Sequence, residues 1–109
     1  MTVANQIIIK AKQGEEKNLK NELNLLVAQA LLEKGCQKFE LYQLLDAKDE
    51  FFIVEIWKSE RSYNKHLENE RYLQHRDILK HLIDNEKVQP LKLTQCLTEL
   101  GLKAKQEKK

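Results

Sequence analysis

Among the residue types that carry chemistry, this chain of 109 residues holds three histidines, two cysteines, one tryptophan and three tyrosines. An imidazole such as His66, with an unperturbed pKa of about 6.5, is matched to taking a proton from a phenol hydroxyl as a general base. The alternative is an ordinary histidine on a helix surface. Tyr63 and Tyr72 flank His66 along the chain, either as core packing or as ligand contacts. Glu55 and Trp57 are two residues apart, so they share one face of any strand that contains them. On that face Trp57 serves as a pocket wall or as interface packing, and Glu55 bonds a ligand or pairs with a basic residue across the sheet. Phe39, Leu41 and Phe51 are expected on a sheet face, where an apolar pocket and an apolar interface have the same signature. His75 and His81 have no such setting and read as solvated.

Cys36 directly follows Gly35, but no basic residue is placed to activate it, and it reads as packing. Both Cys36 and Cys96 are expected to stay reduced. A chain of this length buries roughly two thirds of the surface its unfolded form exposes and needs no covalent staple. Three histidines and two cysteines at these spacings make no zinc pattern. No GxGxxG or Walker-type run is present, so no metal, flavin or nicotinamide cofactor is expected.

The composition is 41% hydrophobic and 33% charged, and 19 basic side chains against 17 acidic ones leave a formal charge of +2. Part of the basic excess sits in the terminal KAKQEKK, so no folded basic face of the kind that binds nucleic acid is expected. No apolar run approaches the roughly 20 residues of a bilayer span, and the start of the chain has no secretory pattern. The cytoplasm is the expected compartment. One domain over residues 1–98 is expected, followed by a basic tail over 99–109.

The elements that must position these side chains follow from periodicity. Asn5 to Lys12 (NQIIIKAK) reads as a strand ended by Gln13-Gly14. Leu19, Leu23, Leu26, Ala30 and Leu31 then recur at helical steps, predicting a helix from Glu15 to Lys34 closed by Gly35. Cys36 to Leu45 and Glu50 to Lys58 read as a hairpin around DAKDE. Ser59 caps a helix over Glu60 to Asp84, broken near Asn69. Val88 to Leu97 alternates again, with Pro90 marking an edge strand.

This βαββαβ order is the ferredoxin-like α+β arrangement, an antiparallel sheet with two helices on one face. Its third strand is apolar on both sides, with Phe52, Val54 and Ile56 opposite Phe51, Ile53 and Trp57. One helical layer covers one side only. A second copy stacked on the open face would cover the other, which predicts a homodimer.

The segments IIIKAKQGEEKNLKNEL, EKGCQKFELYQ and FFIVEIWKSERSYNKH resemble the antibiotic-biosynthesis monooxygenase (ABM) superfamily of dimeric α+β barrels, from about Ile7 to Leu82. The most specific parts are Glu33, Gly35 and Cys36 before an aromatic strand, and Glu55-x-Trp57-x-Ser59 followed by His66. The resemblance implies a pocket between the open sheet face and the second helix, with His66 pointing into it. Where many members carry a second His, this chain has Asn69, Glu70 and Arg71, so Arg71 is expected to replace it and to favour an anionic or phenolate ligand. The heme-degrading branch fits poorly. The first strand has no Asn from Ile7 onward, His66 stands in place of that branch's Trp, and Arg76 lies near its axial His.

The resemblance implies a cofactor-independent monooxygenase acting on a small aromatic quinol or phenol. His66 would be its base, and Trp57, Glu55, Arg71, Tyr63, Tyr72 and Phe39 would surround the substrate. Two alternatives remain on the same fold: an isomerase using the same base, and a non-catalytic dimer that binds a small ligand or serves in a stress response.

Overall fold

β-Branched and aromatic residues are concentrated in three segments, and a computed structural model, which describes residues 2–93, forms these and a fourth, more polar segment into strands. The order is β1 (Val3–Ala11), α1 (Glu16–Leu31), β2 (Cys36–Gln43), β3 (Glu50–Trp57), α2 (Glu60–Glu68), α3 (Glu70–Leu79) and β4 (Ile83–Leu91). The strands form one sheet in the order β2-β3-β1-β4, with every neighbouring pair antiparallel. This is the ferredoxin-like α+β architecture, with β2 and β4 at the edges.

Register assigns the two faces. Ile9 pairs with Phe51, Ile7 with Ile53, Asn5 with Glu55 and Val3 with Trp57, so these side chains share one face. Phe39 and Leu41 join them from β2, opposite Glu55 and Ile53. The stripe Leu19, Leu23, Leu26 and Ala30 of α1 packs on this face together with Leu79 of α3, forming the buried core. The opposite face carries Ile8, Tyr42, Phe52, Val54 and Ile56. There Ile8 and Tyr42 each keep 43% of their surface exposed.

Several element boundaries differ from the sequence reading, with β1 beginning at Val3 rather than Asn5 and β2 ending at Gln43 rather than Leu45. Helix α1 ends at Leu31, and a turn through Gly35, at φ +91°, returns the chain to the sheet. The second helix is broken at Asn69, as expected, and ends at Leu79 rather than Asp84. At Asn69 the backbone is extended, and the Asn69 side chain accepts the N–H groups of Arg71 (2.9 Å) and Tyr72 (3.2 Å), capping α3. The last strand starts at Ile83, five residues earlier than expected. Ala11 pairs with Ile83 across a register shift at Lys10/Ala11, and this bulge together with Asp84, Asn85 and Glu86 masks the alternation. Pro90 does lie on an edge strand. Cys96 and the basic tail over 99–109 lie outside the described residues.

Candidate active site

His66 sits on the inner face of α2 and is 2% exposed. Its Nδ1 lies 2.8 Å from Oε2 of Glu33, in the turn after α1. A carboxylate only accepts, so with Glu33 ionised Nδ1 carries the hydrogen and Nε2 keeps the lone pair that a base needs. Glu33 is itself held, because Nε2 of Gln29 donates to the same Oε2 at 2.9 Å. Four aromatic rings surround the imidazole. Trp57 stacks at 4.4 Å between centroids, Tyr72 lies at 4.2 Å, Phe39 meets it edge-on at 6.0 Å and Tyr63 is tilted at 6.5 Å.

Beside this cluster lies a pocket of about 180 Å³ with Phe39, Glu55, Tyr63, His66 and Tyr72 in its wall. Ile7, Ile9, Leu23, Leu26 and Ile53 supply its apolar floor. It lies between the helices and the covered sheet face. The expected location against the open face is therefore corrected: the inward positions of β1 and β3 point toward α2 and α3, and Glu55 and His66 can meet only on that side.

Glu55 is 3% exposed and has no cationic partner among the described residues. Its Oε1 accepts the indole N–H of Trp57 at 2.6 Å, and Oε2 takes a long 3.5 Å bond from Asn5. Burial raises its pKa above the ordinary glutamate range, against the lowering effect of the Trp57 hydrogen bond. Trp57 is fully buried and absent from the pocket wall. It backs His66 and anchors Glu55. Tyr72 is pushed up to about 12, first by burial and against the nearby Arg76 charge, so its phenol stays neutral and can donate a hydrogen bond.

Arg71 departs from expectation. It is exposed and faces a separate groove with Gln29, Leu32, Lys34, Ser62 and Lys65. The expected helix break at Asn69 is present, but the restart there brings Tyr72 over the imidazole and sends Arg71 outward. The arginine in the pocket wall is Arg76, whose two terminal nitrogens clasp Glu86 of β4 at 3.0 and 2.9 Å. Sequence reasoning did not assign Gln29, which acts through Glu33 four residues on, or Glu86, which holds Arg76 ten residues back. Asn5 was the legible signal it passed over, an amide among β-branched residues on an inward position. That asparagine also corrects the count from Ile7, since the strand starts at Val3.

His75 is half-buried, with Nδ1 3.9 Å from Glu22 of α1, and is less solvated than expected; His81 is exposed. The Cys36 thiol is raised by burial and by Glu33 and Glu55, which leaves it unactivated. Among the described residues no three His, Cys, Asp or Glu side chains converge as metal ligands, and no helix is long and apolar enough to cross a membrane.

A ferredoxin-like sheet with a histidine-centred apolar pocket beneath its helices defines a class of small α+β proteins rather than a single chemistry. The chain belongs to the antibiotic biosynthesis monooxygenase (ABM) family, which matches residues 2–77. Among solved structures it is similar to PA3566 from Pseudomonas aeruginosa, at 26% identity and TM-score 0.81, covering 86% of this chain and 95% of that one. It also resembles Rv0793 from Mycobacterium tuberculosis (20% identity, TM-score 0.81, 90% and 100% covered). SnoaB, a cofactor-independent oxygenase from Streptomyces nogalater, aligns at 14% identity and TM-score 0.79 over 90% and 98% of the two chains. The last two likenesses show the fold alone. No curated protein matches the chain.

Proposed function

We propose that this protein is a cofactor-independent monooxygenase that oxidises a small aromatic quinol or phenol. The observation that carries the proposal is the Glu33–His66 pair at 2.8 Å, which presents a lone-pair nitrogen beside an apolar pocket. His66 Nε2 takes the phenolic proton, and the electron-rich anion left behind reduces oxygen directly: one oxygen atom bonds to a ring carbon that becomes a quinone carbonyl as its hydrogen leaves, the other departs as water, and the substrate supplies all four electrons. The dry wall strengthens every hydrogen bond made to that anion. Tyr72, neutral over the whole working range, and the unshared N–H groups of Arg76 are the donors available to it, in the role expected of Arg71.

Pocket size narrows the substrate. A cavity of about 150 Å³ accepts one benzene ring, and this pocket holds about 180 Å³. A single-ring quinol is the expected substrate, in preference to a polycycle. A second copy seated on the uncovered sheet face belongs to the same proposal.

Oxygen uptake with benzene-derived quinols, compared with naphthols, tests it. Uptake with a single-ring quinol that depends on His66 is the expected result. A chain that retains an aromatic ligand yet consumes no oxygen with any quinol would instead be a binding protein.

A further inference from the structure

A second concavity lies away from the pocket, where the Gly35 turn meets the start of α2. It encloses about 420 Å³ and is lined by four cations, Lys34, Lys58, Arg61 and Lys65, with Ser59, Ser62 and Gly35. No carboxylate lines it. None of these four cations has an acid within 4.0 Å among the described residues, so the concavity gathers four cations with no counter-charge at hand. Like charges gathered without counter-charges repel, and an arriving anion removes that cost.

The backbone supplies further donors at the same place. Ser59 caps the nine-residue α2: its Oγ accepts the Ser62 N–H at 3.1 Å and its hydroxyl donates to Ser62 Oγ at 3.1 Å. The Ser62 hydroxyl hydrogen and the Glu60 and Arg61 N–H groups remain for an outside acceptor. The turn is held over them because Lys58 N–H donates to Gly35 O at 2.8 Å. Gly35 also lies so close to Ser62 that a Cβ would collide with it.

The geometry points to a binding site for a phosphate-bearing small molecule in this concavity, separate from the His66 pocket. Four cations and a helix N-terminus suit a dianion better than a single carboxylate. The volume is that of a small-ligand site. The lining has no aromatic ring on which a nucleic-acid base could stack, which argues against a single-stranded polymer. Composition hid the site because its four cations are spread over 32 residues and balanced by acids elsewhere.

Amide chemical shifts followed by NMR at constant ionic strength test the assignment, with inorganic phosphate and glycerol 3-phosphate as probes and chloride as the control anion. Saturable shifts at Gly35, Arg61 and Ser62, with a Kd of about 1 mM or tighter, are expected. Lys58→Ala combined with Lys65→Ala should weaken them on the order of 10-fold or more; Lys38→Ala, paired with Glu40 on another surface, should leave them unchanged. Tighter binding of glycerol 3-phosphate would identify an ester, and equal binding would identify the phosphate group alone. Shifts that stay linear with both probes, that chloride reproduces, or that persist in the double variant would overturn the site. So would saturation by a single-stranded oligonucleotide alone.

Discussion

His66 is the residue on which the chemistry turns, because its neighbours fix both its orientation and its tautomer. If the oxygenase activity holds, His66→Ala lowers kcat/KM on the order of 10²-fold, the scale of a lost positioned base; an unchanged value in an oxygen-uptake assay would remove it from the mechanism. Glu55 gives a prediction independent of activity. Its native pKa lies above the unfolded value near 4.5, so the folded state holds the proton to higher pH than the unfolded chain does. Its contribution to stability is therefore complete below about pH 4.5 and is lost as pH rises through the raised native value. Glu55→Gln should flatten that loss in denaturation curves taken across the window, whereas an identical slope in both proteins would contradict it. Strand alternation fixes that Glu55 faces the same side as Trp57, and the family resemblance, not spacing, implied a pocket with His66, Tyr63, Tyr72 and Phe39 around it; these side chains lie in the wall of the pocket beneath the helices. Arg71 was misread because a single helix break resets the phase of everything after it. The Glu33 contact to His66 spans 33 residues and has no local signature.

At the scale of elements, the capped break between α2 and α3 decides what lies over His66. Asn69 Oδ1 accepts two α3 N–H groups and lies 3.5 Å from Gln29 Nε2, on the chain of contacts that reaches Glu33. Asn69→Ala should cost about 1 kcal/mol in chemical denaturation, the usual value of a lost N-cap, and should loosen the Tyr72 contact with His66. The Gly35 turn is held more tightly. A side chain there meets both the left-handed backbone and Ser62, so Gly35→Ala should cost about 1–3 kcal/mol; a neutral result would mean that the turn can move away from α2. Element order and type could be read from the sequence because the apolar periods are strong. The boundary of β4 could not, because a bulge skips Asp84 and three polar residues follow Ile83.

The whole molecule leaves one sheet face without a helix among the described residues. Ile8, Tyr42, Phe52, Val54 and Ile56 form a contiguous apolar patch there, with Tyr42 stacked on Phe52 at 4.9 Å between centroids. Patches of this kind on a small domain mark an interface, and the patch is self-complementary if two copies meet about a two-fold axis. We propose that they do, burying more than about 2,000 Å² in total, as an obligate interface requires. Sedimentation at micromolar concentration should return twice the chain mass. Phe52→Lys should return the single-chain mass with the fold retained by circular dichroism, because Phe52 points away from the core that Phe51 and Ile53 fill. The pocket lies on the opposite side of the sheet from this patch, so the monomeric variant should keep His66 beside Glu33 and differ mainly in stability. A wild-type chain that sediments as a monomer would leave the patch exposed and overturn the pairing.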